Sequence, residues 1–296
     1  MNEMKLNEPF QDYLARPSVS KSLLDVFVKC PADAKRMMEG QWNKTETKAM
    51  LTGKLVEEMV QSVSVFAPQM LNAVIVVHPE KYTAADGETK AWNWNANYCK
   101  DWRKEHEHGK TVMSQKERDN IVRLGEMIRG NQIVQELIKD GTPQVSLKAV
   151  HKRTGLTIKG RPDWFCPNFM VDLKTTFDAS TEQFSKTIAD RRYHIQAAMY
   201  MTLAELNGHN PTEFYFIVAQ TGDNPKLNVR YLKQSAIDVG RFTLESELEA
   251  FKNCQESGFW PDYMGTAKDF QTIEPIDLPQ WAYNTFPVTL TGAIEV

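Results

Sequence analysis

Two carboxylates and a lysine in this sequence have types and spacing that suit phosphoryl chemistry. Asp163 closes the run Gly160-Arg161-Pro162-Asp163, and Asp172-Leu173-Lys174 follows after eight intervening residues. A bare acid-x-lysine pattern says little, since it recurs at Glu3/Lys5, Asp33/Lys35, Glu46/Lys48 and Glu88/Lys90 in polar surroundings. Asp172 and Lys174 differ because Met170, Val171 and Leu173 make their segment an apolar strand. The two-residue side-chain period of a strand puts both charges on one face, where they either line a cleft or form a structural ion pair. Asp163 ends the preceding strand, and a short Pro167-Asn168 turn brings it beside Asp172. Neighbouring carboxylates repel, so each needs a cation. A hard divalent ion, Mg²⁺ or Mn²⁺, would neutralise both and keep positions open for water and a phosphate oxygen. Lys174 would hold the attacking water or the charge developing on the phosphate.

The flanking helices add to this set. Tyr193, Gln196 and Tyr200 fall at i, i+3 and i+7, one helical stripe that also carries the small Ala197. A buried amide left unpaired costs about 1–3 kcal/mol, so Gln196 wants a partner: a metal ligand, its water or a phosphate. His194 points off the stripe, as a phosphate contact or a surface residue. Upstream, Leu55, Val56, Met59, Val60 and Val63 form one arc of a helix with Glu57 and Glu58 on opposite margins. Glu57, one turn after Gly53, is the candidate third acid and Glu58 the solvated one; spacing alone does not decide. Basic residues crowd the same region: Lys148, His151, Lys152, Arg153, Lys159 and Arg161, then Lys186, Arg191 and Arg192. Converging on a metal-phosphate site, such residues read as contacts to a nucleic-acid backbone.

The elements that must position these groups follow from periodicity. The chain has 296 residues, 42% hydrophobic and 25% charged, with 35 Lys+Arg against 38 Asp+Glu for a net charge of −3. At roughly 100–200 residues per domain this allows one large or two modest domains and excludes wholesale disorder. No apolar run approaches a membrane span, and the polar start MNEMKLNEPFQ does not read as a signal peptide. Cys30, Cys99, Cys166 and Cys254 are scattered without a CxxC pair, which favours a reducing cytoplasm. The pattern predicts an extended start at Tyr13–Pro17, a short helix capped by Ser18 or Ser20, and a helix over about Lys48–Phe66 closed by Pro68. A strand at Asn72–His78 follows, then an aromatic-basic stretch with Trp92, Trp94, Tyr98 and Trp102, read foremost as rings packed on the domain and alternatively as a nucleic-acid arm. Ser114 and Glu117 make a capping box for a helix to about Lys139. A three-strand meander runs from Val145 through Leu156–Ile158 to Phe169–Thr175. After it come a long helix over Ser180–Asn207, strands at Glu213–Gln220 and Leu227–Leu232, a last helix from Ser235 to about Cys254, and a tail with a further strand or two.

Taken together, these residues resemble the PD-(D/E)XK nuclease superfamily, and within it the C-terminal nuclease domain of the RecE (exonuclease VIII) family and its phage relatives. The resemblance rests on Gly160–Asp163, Asp172–Thr176 and Tyr193–Tyr200, and extends to Tyr13–Leu24 before Cys30-Pro31 and to Gly258–Pro261 and Leu278–Ala282 in the tail. It implies Mg²⁺-dependent digestion of linear double-stranded DNA from its ends, 5′ to 3′, a ring-shaped oligomer around DNA, and a RecT-type single-strand annealing partner. It implies that Asp163 and Asp172 bind metal with the Leu173 carbonyl, that Lys174 is catalytic, and that Gln196 and Tyr200 support the site. RecE-type sequences tend to carry His where this chain has Glu57, whereas the lambda-exonuclease type uses Glu on this helix, so Glu57 stands as the fourth metal-ligand candidate.

The resulting expectation is a single α/β domain over 1–296: a restriction-endonuclease-like core of helix, three-strand meander, helix and strands, with a helical insertion after the first core helix. Residues 45–78 give the first core helix and strand, 79–143 the aromatic-basic and helical insertion, 144–256 the catalytic core and 257–296 the tail. The expected protein is a cytoplasmic phage- or prophage-type exodeoxyribonuclease using Mg²⁺, with Mn²⁺ as substitute, no iron–sulfur cluster and no membrane contact. Arg161, Lys152, Arg153, Arg192 and His194 are its candidate DNA contacts. The alternatives are a Cas4- or RecB-like single-strand nuclease and a non-catalytic DNA-binding protein on a nuclease fold.

Overall fold

The structure is a computed structural model, and it describes residues 2–42, 47–61, 71–166, 168–263 and 275–283. An N-terminal arm comprises β1 (Glu3–Lys5), α1 (Phe10–Ala15), α2 (Lys21–Phe27) and α3 (Pro31–Met38). The first core helix is α4 (Lys48–Gln61). The insertion holds α5 (Leu71–Val74), β2 (Ile75–Val77), β3 (Lys81–Thr83), β4 (Thr89–Ala91), α6 (Asn97–His106), β5 (Thr111–Met113), α7 (Gln115–Arg129) and α8 (Gln132–Ile138). The core continues through β6 (Thr142–Pro143), β7 (Ser146–Val150), β8 (Thr157–Gly160), β9 (Trp164–Phe165) and β10 (Phe169–Thr176). Then come α9 (Thr181–Asp190), α10 (Tyr193–Leu206), β11 (Glu213–Gln220), β12 (Lys226–Tyr231), α11 (Gln234–Ser257) and α12 (Gln280–Tyr283).

A five-stranded sheet, ordered β12-β11-β10-β9-β6, forms the middle layer. Its central strands β10 and β11 are rich in aromatic and β-branched residues and run parallel, with Asp172 opposite Phe216 and Lys174 opposite Val218. Parallel neighbours need a crossover, which α9 and α10 supply. Side chains alternate cleanly between two cores. Met170, Phe214, Phe216 and Val218 pack with α2, α10, α11 and the β7–β8 hairpin, while Val171, Leu173, Ile217 and Ala219 pack with α4 and α7. The helices approach closely where glycine permits it. A Cβ on Gly53 of α4 would sit 3.1 Å from Thr175 Oγ1, and one on Gly240 of α11 only 2.3 Å from the His194 carbonyl oxygen of α10.

Several sequence expectations change here. The three-strand meander is split: β7 and β8 pair with each other and with β1 in a separate three-stranded sheet, and only β9 passes the chain to β10. Arg161-Pro162 forms the link, and proline has no N–H to carry a ladder onward. The long helix over Ser180–Asn207 is two helices, because Arg192 adopts the left-handed conformation (φ 57°) at the start of α10. The Ser114–Lys139 helix keeps its capping box but breaks after Arg129, where Asn131 caps α8 by accepting from Val134 N–H. Asn72–Val74 is helical, so the expected strand is reduced to β2. Tyr13 lies in a helix rather than an extended start. The Lys159 ammonium donates to the Tyr13, Leu14 and Arg16 carbonyls at 2.8–3.0 Å, a charged cap on the C-terminus of α1 that comes from β8. Ser20, not Ser18, caps α2. Ser235 falls inside the first turn of α11, whose N-cap is Lys233. Residues 62–66 and Pro68 of the Lys48–Phe66 prediction lie outside the described residues, as does most of the tail, of which 275–283 contains α12 and no strand.

The aromatic stretch packs on itself. The His78 and Trp92 rings stack at 4.3 Å, Trp92 meets Trp102 edge-on at 5.3 Å, and Trp102 stacks on His106 at 4.2 Å. Its cations Lys90 and Arg103 pair with Asp86 and Glu107.

The α10–α11 crossing gives a direct stability test. Gly240→Ala places a methyl against a backbone carbonyl that no rotamer change can move. We expect a loss of about 1–3 kcal/mol or more in urea unfolding, whereas Ala at the neighbouring exposed Val239 should stay within about 0.5 kcal/mol.

Candidate active site

The site forms where β10 runs past its partner. β9 pairs with β10 only through Phe165–Met170 and Trp164–Val171, so the next register step brings Asp163 opposite Asp172. Beyond it the edge of β10 lacks a backbone partner, and the Asp163 carboxylate takes that place: its Oδ2 accepts from Leu173 N–H at 2.7 Å. Asp163 and Asp172 are both buried.

Glu57 reaches the same spot from α4, which Gly53 allows to lie close against Thr175. Glu58 is exposed, so of the two Glu57 is the one that faces the aspartates. Gln61 Nε2 donates to Glu57 Oε1 at 2.7 Å, and Gln144 Nε2 donates to the same oxygen. Gln144 also donates its backbone N–H to the Asp163 carbonyl at 3.1 Å and is one of four non-glycine residues with positive φ (53°) among the described residues. Nothing in the sequence marked Gln61 or Gln144, because an amide at a strand start or on a polar helix margin is an ordinary surface residue.

On the other side of β10, Lys174 pairs with Asp172 and lies 4.6 Å over the Tyr193 ring. Gln196 Nε2 donates to Asp172 Oδ1 at 3.1 Å and reaches the Tyr200 hydroxyl at 3.0 Å. The helical stripe thus meets β10 through Asp172. Tyr200 also packs under Gly160, where any Cβ would clash with its ring at 2.7 Å.

The electrostatics are those of crowded acid. Burial pushes the Asp163 carboxyl well above the usual range, and the Asp172 and Glu57 charges add to it. Glu57 is raised as well, by burial and then by Asp172, although its hydrogen bond with Asp163 opposes the shift. Burial opposes the charge on Lys174, but Asp172 and Asp163 outweigh it and hold the ammonium more firmly protonated than an ordinary lysine. Burial and Asp172 raise Tyr200 too, keeping it a neutral phenol.

Among the described residues, no three His, Cys, Asp or Glu side chains are already disposed around one ion. Asp163 and Asp172 are tied instead to Leu173 N–H, Lys174 and Gln196. The donor chemistry still fits a hard cation. Three carboxylates converge, Asp163 and Glu57 with raised proton affinity, and Asp172 Oδ2 is buried with no hydrogen-bond partner beyond its ion pair with Lys174.

The expected basic contacts separate. Arg161 is within electrostatic reach of Glu57. Lys152 and Arg153 are not brought to the carboxylates: they sit on the β7–β8 turn, with all of β8 between them and Asp163, and Arg153 pairs with Glu245 and Glu249 of α11. Arg192 is engaged by Glu247 and by Asp25 at 3.5 Å. His194 Nδ1 lies 3.4 Å from the Ile188 carbonyl, turned back toward α9. Lys159 belongs to the α1 cap rather than to a phosphate surface.

Comparison with known proteins agrees with this architecture. A family model described as a PDDEXK-like domain of unknown function (DUF3799) matches residues 20–272. The chain belongs to this PDDEXK-like family. Its fold is also that of a crystal structure described as a candidate exonuclease from Eubacterium rectale, with TM-score 0.59 and 13% identity over 92% of this chain and 97% of that one. No curated protein matches the sequence. The matched residues of the PDDEXK-like model span α4, the link into β9, β10 and α10, which supply Glu57, Asp163, Asp172, Lys174 and Gln196. The PDDEXK-like fold is therefore established at the level of family.

The crowded acids make stability depend on pH in a defined direction. Because Asp163 and Glu57 bind protons more tightly folded than unfolded, their contribution is fully present below the unfolded carboxylate pKa and is lost as pH rises through the folded value. Asp163→Asn removes one charge from the group. It should raise Tm at pH 8 by about 2–4 °C, with little gain at pH 4, as read by calorimetry without divalent ions.

Proposed function

We propose that this PDDEXK-like protein is a divalent-metal-dependent exodeoxyribonuclease that degrades linear double-stranded DNA from its ends, 5′ to 3′, leaving 3′ single-stranded tails for recombination. The observation that carries the reading is the convergence of Glu57, Asp163 and Asp172 with a protonated Lys174 at the open edge of β10. The family match supports a nuclease, and the exonuclease name of the Eubacterium rectale structure accords with attack from ends. Polarity, a ring-shaped oligomer around DNA and a RecT-type annealing partner enter this proposal through the sequence resemblance.

Asp163, Asp172, Glu57 and the Leu173 carbonyl would hold Mg²⁺, or Mn²⁺ in its place. When bound, the ion supplies an activated water and neutralises charge on the phosphate. The protein residues have separate tasks. Lys174, firmly protonated, does not act as a base; it donates to the attacking water or to the phosphate oxygen that gains charge. The Tyr193 ring beneath the ammonium restricts where it can swing. Gln196 orients Asp172 through one amide hydrogen bond, and the neutral Tyr200 phenol holds Gln196.

The test is a gel assay on linear 5′-labelled duplex with Mg²⁺, beside a covalently closed circle. Wild type should degrade the linear duplex and spare the circle, releasing the 5′ label first. Lys174→Ala and the charge-keeping Lys174→Arg should each lose at least about 100-fold in rate, and Lys174→Arg should melt close to wild type. Intact linear duplex with both Mg²⁺ and Mn²⁺, or full activity in either variant, overturns the proposal.

A further inference from the structure

Arg161 lies two residues before Asp163 and is held without being satisfied. Its Nε and Nη1 are buried, and neither has a hydrogen-bond partner among the described residues. Of the acids that it feels, Glu8 accepts from Arg16 through Oε1 and keeps Oε2 buried without a hydrogen-bond partner among the described residues, while Glu57 accepts from Gln61 and Gln144. Burial lowers the proton affinity of the guanidinium, yet arginine stays charged, so the group carries open donors in a setting that excludes water.

Its position is nevertheless fixed. The Arg161 guanidinium lies 5.8 Å from the Phe10 ring centroid and 5.8 Å from that of Tyr13, within cation–π range of both rings. Both rings belong to α1, whose C-terminus is pinned by Lys159, with Lys159 Nζ 4.9 Å over the Tyr13 ring. Tyr13 is buried and within electrostatic reach of Tyr200, so this cluster lies close to the residues around Asp172. Phe10 is 52% exposed beside the guanidinium.

Unpaired donors on a fixed positive charge match an oxyanion such as a phosphate. A partly exposed ring at its side matches a nucleoside attached to that phosphate. We propose that Arg161, clamped by Phe10 and Tyr13, binds a backbone phosphate of the DNA strand adjacent to the one that is cut, with Phe10 against the adjoining nucleoside. The N-terminal helix then becomes part of the substrate cleft. This assignment rests on the nuclease reading for its choice of ligand, but the anion site itself can be tested apart from cleavage.

Two measurements test it on the full chain. The first is fluorescence-anisotropy titration of a labelled duplex without divalent ions, over a range of salt. Arg161→Gln should weaken binding by about 10–100-fold and reduce the slope of log K against log salt by about 0.9. Arg161→Lys should restore the slope, because it keeps the charge, but not the affinity, because it loses the fork. Phe10→Ala should weaken binding with the slope unchanged. The second is the rise in Tm produced by sodium sulfate over sodium chloride at equal ionic strength, which Arg161→Gln should reduce to the general part that excluded sulfate gives any protein. Wild-type affinity, slope and sulfate response in Arg161→Gln overturn the proposal, whether or not the protein cuts DNA. Loss of those responses in a protein that cuts no DNA keeps the anion site and refutes the nuclease reading. If Arg161→Gln fails to fold, Arg161→Lys and Phe10→Ala decide, and wild-type behaviour in both overturns the assignment.

Discussion

One hydrogen bond organises the centre of this molecule: the Asp163 carboxylate accepting from Leu173 N–H at the edge of β10. β9 is two residues long, so the sheet stops covering β10 just where Asp172 and Lys174 begin. A carboxylate in place of a backbone carbonyl satisfies the open N–H and also brings negative charge to the strand edge. The second carboxylate, Asp172, is then a close neighbour, and Glu57 from α4 is a third. Their repulsion and desolvation are what the surrounding residues answer, with the Lys174 cation on one side and the amides of Gln61, Gln144 and Gln196 around them. This is a site that gives up stability to keep charge concentrated, as functional sites commonly do.

The two cores make such crowding tolerable. β10 and β11 are buried on both faces, so their register is set by the alternation of Val171 and Leu173 toward α4 against Met170 and Phe216 toward α10. A slip of one residue would turn Asp172 and Lys174 into the wrong core. Gly53 and Gly160 then bring the helices in, the first letting α4 present Glu57 and the second letting α10 lay Tyr200 against the hairpin. Membership of the PDDEXK-like family describes this arrangement of helix, sheet edge and helix. The N-terminal arm adds a feature built from distant parts of the chain, with Lys159 of β8 holding the helix that carries Phe10 and Tyr13 over Arg161.

Some of this is legible from local pattern. Apolar strands at Phe169–Thr175 and Glu213–Gln220, the Ser114 capping box and the Tyr193–Gln196–Tyr200 stripe depend on residues a few positions apart, and the folded chain keeps them. So does the pairing of Asp172 with Lys174, since strand geometry alone sets which side chains share a face. The packing of Trp92 and Trp102 also follows from composition, because rings of that size are seldom left in water.

Tertiary structure alone decided the rest, wherever the deciding partner is far along the chain. Glu57 and Glu58 are equivalent on a helical wheel until Gly53 meets Thr175. Arg153 and Arg161 are both basic residues beside a strand until Glu245 and Glu249 claim the first and two aromatic rings hold the second. Tyr13 reads as extended until Lys159 caps its helix, and one long helix becomes two once Arg192 turns toward Glu247. The amino-acid sequence by itself determined the central strands, the apolar faces and the residue types able to do chemistry, because these rest on short-range periodicity. Which charges meet, which are cancelled and which stay open was decided by contacts that form only when the layers close.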